Sequence, residues 1–218
     1  MNEHYIETLI KKLRALDDSG TRQLDDGTLL IRENRHRKVG QLAYWHIFYG
    51  PLNDEQIARL EVRIERKLPP SLRDLYQHSN GGVFFLKSLS WRGLREDYSR
   101  DPEKRLPISL EYGNTVDRPF EGPSGQERYV DNSDQARFGI YVEAEAEVMM
   151  TLDGDPKVYA VPRYKRGPVL YEWPNLETFF VSEVDRMVAL YEKRGGVVGV
   201  ANPLPPPWLE SARQCGHL

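Results

Sequence analysis

Helices and antiparallel hairpins held in separate segments are what this sequence predicts, an α+β chain. Three observations carry that reading. Residues 2–16 and 175–194 repeat apolar side chains at helical spacing. Residues 42–49 and 137–161 are aromatic, β-branched or alternating, as strands are. Glycine, proline and asparagine clusters punctuate the boundaries.

In the first element, Ile6, Leu9, Ile10, Leu13 and Leu16 share one helical face; Lys11, Lys12 and Arg14 take the other, and Ser19-Gly20 ends the run. Residues 28–32 and 42–49 read as a hairpin with a basic tip at 32–38. Asn53 and Gln56 then have capping-box spacing, and Leu52 and Ile57 the spacing of a hydrophobic staple. Acids open this helix and Arg63, Arg66 and Lys67 close it, as the helix dipole favours. Its stripe of Ile57, Leu60, Ile64 and Leu68 predicts a helix reaching Pro69-Pro70, which must break it. Ser71 with Asp74 restarts a short helix through Leu72, Leu75 and Tyr76. Asn80-Gly81-Gly82 closes it, with glycine in the left-handed conformation. A strand follows from Val83.

Residues 87–136 are less regular, with a strand at 108–112 and a long polar loop at 113–126. Beyond them Phe138, Ile140 and Val142 alternate, as do Val148, Met150 and Leu152. Asp153-Gly154-Asp155-Pro156 turns the chain into a return strand at 157–161. The last helix, capped by Asn175, buries Leu176, Phe179, Phe180, Val184, Met187, Val188 and Tyr191 and stops at Gly195-Gly196. Residues 201–218 form a proline-rich tail, expected to run extended over the surface, anchored by Trp208, or to be disordered.

Composition excludes several function classes. A formal charge of −3 and a pI near 6.0 argue against a dedicated nucleic-acid binder. No apolar run approaches the ~18 residues of a membrane span, and the N-terminus lacks the apolar core of a secretory signal. A single cysteine, Cys215, fits a reducing compartment, the cytoplasm. His4, His36, His46, His78 and His217 show no ligand spacing, and Cys215 with His217 supplies too few ligands for zinc, so no metal is expected. Phosphate-cradling glycine loops are missing and no nucleophile system is visible, so neither cofactor nor catalytic residue is expected. The basic tip at 32–38 has the makings of a phosphate contact, but a solvated hairpin end accounts for it.

The acidic side is more informative. Residues 121–155 hold nine acids against Arg128 and Arg137, a local charge of −7. On a strand, Glu143, Glu145 and Glu147 would share one face. Two readings stand: a solvated edge whose charge blocks aggregation, or a docking surface for a basic partner with Asp131, Asp134, Asp153 and Asp155 around it.

Residues 57–82 closely resemble the signature of the Smi/Knr-like SUKH superfamily, through Ile57, Leu60, Glu61, Leu68, Pro69, Tyr76, Asn80, Gly81 and Gly82. The later half is similar in plan: the Leu152-Asp153-Gly154 turn, Val158-Tyr159, and a closing helix begun by Trp173-Pro174-Asn175-Leu176. The glycine-rich segment that often precedes the Leu-Asp strand in the family is replaced by residues 143–147, Glu-Ala-Glu-Ala-Glu. The first 50 residues and the tail have no assigned counterpart. The resemblance implies a mixed, mostly antiparallel sheet with helices packed on it. It implies one domain over residues 1–200, with a family-like core at 51–196, an added helix and hairpin at 1–50, and the tail outside. Bacterial members commonly act as immunity proteins in polymorphic toxin systems. That implies a non-catalytic cytoplasmic protein that binds and neutralises a cognate toxin, a nuclease among the candidates. The expected partner is a basic toxin domain, with no direct nucleic acid and no membrane. A scaffold or regulatory module of the Smi/Knr type, with a cellular partner and no toxin, is the alternative. The signature residues are expected to specify the fold, since capping and packing explain each of them.

Overall fold

The computed structural model describes residues 4–36, 41–97, 106–110, 135–152, 154–163, 169–196 and 204–216. Among the described residues nine strands form one sheet in strict sequence order, every neighbouring pair antiparallel. They are β1 (Arg22–Gln23), β2 (Leu29–Glu33), β3 (Tyr44–Phe48), β4 (Gly82–Phe84), β5 (Leu89–Trp91), β6 (Gln135–Tyr141), β7 (Ala146–Thr151), β8 (Val158–Pro162) and β9 (Tyr171–Trp173). The helices are α1 (Tyr5–Leu16), α2 (Asp54–Arg63), α3 (Pro70–His78), α4 (Leu176–Lys193) and α5 (Leu209–Gln214). The expected α+β sheet with helices packed on it is therefore present. Among the described residues the parallel pairing is an isolated bridge between Gly93 and Ser109, outside the named strands. Among the described residues no helix is long and apolar enough to cross a membrane.

Register explains how the sheet takes its helices. Phe48, Gly82, Trp91, Gly139, Val148 and Ala160 are successive partners from β3 to β8. The Trp91 indole lies across this row. A Cβ on Gly82 would come within 2.0 Å of its ring, and one on Gly139 within 2.8 Å of Val148 Cβ, so both positions need glycine. Onto this face α4 sets Phe180, 5.3 Å from Trp91, and Phe179, 5.9 Å from Phe138, in edge-on contacts. Tyr5 of α1 reaches the same Phe180 at 6.0 Å. The adjacent row, Leu30, Ile47, Val83, Ser90, Ile140, Glu147 and Val161, faces the other side. It is apolar at β2–β4, where Tyr44 and Tyr49 join it, and ionic at β7.

Local chemistry departs from the expected pattern at several points. The capping box on α2 is complete: Asn53 Oδ1 accepts from Gln56 N at 2.9 Å, and Gln56 Oε1 accepts from Asn53 N at 3.0 Å. Yet α2 ends at Arg63, before the prolines. Glu65 turns left-handed (φ 55°), Arg66 N donates to Glu61 O and Glu65 N to Val62 O, which is a Schellman stop built without glycine. Ser71 does not cap α3; Pro69 is the N-cap and Pro70 the first helical residue, the place where a missing N–H costs nothing. The left-handed glycine, Gly81 (φ 92°), lies two residues past the C-cap Ser79 and turns the chain into β4. Strands β1, β5 and β9 and helix α5 were not expected from the sequence. The hairpin tip at 37–38, positions 111–112 of the proposed strand and the loop at 113–126 lie outside the described residues.

Candidate functional site

The acidic segment does not form one carboxylate face. Val142–Ala144 is a 3-10 turn and Glu145 is left-handed (φ 48°), so the strand begins only at Ala146. The alternation at 143–147 mimics a strand, but a tight turn interrupts it. Glu145 is exposed. Glu147 is 5% exposed on the ionic side of the sheet. Its Oε1 accepts from Arg92 at 2.5 Å, its Oε2 from Arg137 at 2.8 Å, and Arg163 approaches to 4.0 Å. A buried carboxylate is tolerated only when paired in this way, so Glu147 is an internal tie and not a docking residue. Asp155 is half-buried in its turn, accepting from Lys157 N at 3.0 Å and from the Tyr159 hydroxyl at 3.2 Å. Asp131, Asp134 and Asp153 lie outside the described residues, as does the side chain of Glu143.

The signature residues converge on two knots. Glu61, 3% exposed, accepts from Leu68 N at 3.1 Å, Lys67 at 2.8 Å and Arg73 at 2.6 Å. Burial alone would raise its pKa, but these three bonds outweigh it and hold the carboxyl below its usual range. It thereby clamps the end of α2 to the loop before α3 and to α3 itself. The second knot is Asn80, whose Oδ1 accepts from Leu94 N at 2.6 Å while Nδ2 donates to Leu94 O at 2.9 Å. The Tyr76 hydroxyl donates to Arg92 O at 3.0 Å beside it. Ile57, Leu60 and Leu68 are buried in the main core, and Pro69 caps α3.

Three further features were not read from the sequence. The Tyr141 hydroxyl donates to Glu183 at 2.7 Å; burial and that carboxylate push the tyrosine pKa well up. Arg186 binds Glu183 at 2.6 Å and also Pro205 O, which ties β6, α4 and the tail together. His46 is fully buried, and desolvation, aided by Arg32, lowers its pKa to about 3. Its Nδ1 accepts from Phe85 N at 3.4 Å, at the start of a turn where Phe85, Leu86 and Lys87 are all left-handed. Arg32, assigned to the basic tip, folds inward over Trp45 at 3.6 Å and donates to the Tyr191 hydroxyl at 2.8 Å. The Tyr141–Glu183, His46–Phe85 and Arg32–Tyr191 pairs join residues 39 to 159 positions apart, so no local spacing could announce them.

Fold and internal ties together define a class: an α+β meander whose buried carboxylates knit helix to helix and strand to strand. The family model described as SMI1 / KNR4 family (SUKH-1) matches residues 51–182, more than half of the chain, and the chain belongs to that family. No curated protein and no solved structure matches it.

Proposed function

We propose that this chain is a non-catalytic protein-binding module, in the form of a cytoplasmic immunity protein that binds and neutralises a cognate toxin. Membership of the SUKH family over residues 51–182 is the observation that carries the reading. The buried carboxylates support it, since Glu61, Glu147 and Glu183 are each committed to internal bonds. A nuclease suits the acidic segment, because an active site that binds phosphate is basic and attracts carboxylates over a distance. The proposed contacts are Glu143, Glu145, Asp131, Asp134, Asp153 and Asp155; Glu147 is withdrawn from that set. The decisive experiment is co-expression with the toxin encoded beside this gene, paired with a pull-down. Rescue of growth and stoichiometric capture are expected. Failure of both would remove the immunity reading and leave a regulatory module with a cellular partner. Glu143→Lys with Glu145→Lys is expected to slow association about tenfold at low salt and less at high salt. An unchanged on-rate would refute the acidic contact alone.

A further inference from the structure

We propose that His4, Asp74 and His78 form a site for one divalent transition-metal ion, zinc by ligand type, that ties α1 to α3. The fold brings His4 against α3 across 70 residues of sequence, with its Nε2 2.9 Å from Asp74 Oδ2. Asp74 and His78 are four apart on one helix and so share a face, the spacing by which helices present paired ligands. His78 Nδ1 lies 3.9 Å from Asp74 Oδ1 and 2.9 Å from the Asp74 carbonyl. The two imidazoles stack 3.5 Å apart and 5° from parallel. One ligand atom from each side chain falls within 4.8 Å of the other two.

Two imidazoles and a carboxylate suit zinc, with bonds of about 2.0–2.2 Å, and water can complete the tetrahedron because His4 is half-buried while Asp74 and His78 are more open. Ligand atoms around such an ion stand about 3.3 Å apart, and these three lie within 4.8 Å of one another; an imidazole binds a metal in its own ring plane, so binding turns the part-exposed His78 ring out of its stack on His4. His4 also caps α1, its Nδ1 accepting from Ile6 N at 3.2 Å, so the ring proton sits on Nε2 and faces Asp74. A metal at Nε2 takes that proton's place and moves it to Nδ1, where the cap bond is lost. Three ligands and that loss place the affinity below that of a closed four-ligand site.

The test uses the full chain, stripped with chelator and carrying Cys215→Ser so that the exposed thiol does not compete. Zinc is titrated by calorimetry, and thermal unfolding is followed with and without it. One ion per chain is expected, and at a hundredfold excess over Kd the Tm rises by about 5–10 °C. His78→Ala, which leaves the His4 cap in place, is expected to weaken binding by roughly a hundredfold, the upper end of what even outer-sphere losses cost. His4→Gln is the second variant, and circular dichroism of the metal-free proteins shows that each is folded. No saturable one-to-one uptake, or uptake that survives in a folded variant lacking either histidine, would overturn the site.

Discussion

At the scale of single residues, burial separates carboxylates that look alike in the sequence. Glu145 and Glu147 are two residues apart, yet one is exposed and the other sits under two arginines. Glu147→Ala would leave the buried Arg92 and the partly buried Arg137 without their carboxylate, and the expected loss is about 3–5 kcal/mol in urea unfolding. Glu145→Gly should instead raise stability by about 1 kcal/mol, because glycine occupies the left-handed region without a Cβ clash. A gain at 147 or a loss at 145 would contradict the assignment. His46 carries a pH signature. Its pKa is about 3 in the fold against 6.5 ordinarily. Between those values the unfolded chain binds a proton that the folded chain refuses, so stability falls as pH drops below 6.5. The slope approaches about 1.4 kcal/mol per pH unit, and above 6.5 the contribution is complete. Unfolding free energies from pH 7 to 4.5 should show this slope, reduced by about one proton in His46→Gln.

At the scale of elements, the sequence spoke most clearly where a local rule suffices. The α2 capping box, the Asn175 cap accepting from Thr178 N at 2.8 Å, and the hairpin joining β7 to β8 were all legible from spacing and turn residues. The three-residue strands β5 and β9 were not, because they are too short to show a period. The end of α2 was misplaced because a glutamate does what glycine usually does; Glu65→Gly should therefore stabilise by up to about 1 kcal/mol. The Asn80-Gly81-Gly82 signature was legible as punctuation, but its long-range purpose was not. Gly82 is glycine because β5 returns with Trp91 over it, and Asn80 holds Leu94 in place. Gly82→Ala drives a methyl into that indole and should cost about 3 kcal/mol, with the Trp91 fluorescence changed in the folded state. The candidate docking face was only half legible. Charge density pointed to the segment, but alternation could not tell a strand from a turn, nor a solvated glutamate from a paired one.

At the scale of the molecule, the segments outside the family match complete its core. The tail, expected to run over the surface anchored by Trp208 or to be disordered, buries Leu204 and Ala212 together with Trp208. Trp208 packs edge-on to Tyr141 at 5.1 Å and to Trp173 at 5.4 Å, and Leu204 N donates to Ser88 Oγ at 3.0 Å. Trp208→Ala should cost about 3–5 kcal/mol, as large-to-small changes in a core do. The same argument bears on residues 51–182 taken alone. That fragment lacks β3, so β4 becomes an edge and Phe48 no longer covers Trp91 at 5.7 Å. It cuts α4 before Val184, Met187 and Val188, all buried, and removes α1 with Ile6, Leu9 and Leu13. Each buried aliphatic side chain is worth about 1.5–3 kcal/mol, and these six together, about 9–18 kcal/mol, are as large as the roughly 5–15 kcal/mol by which a domain is stable. The fragment 51–182 should therefore show no cooperative thermal transition, while the full chain shows one. A fragment that unfolds cooperatively at the temperature of the full chain would mean that the N-terminal helix and hairpin and the tail are appendages, and that the domain is the family segment alone.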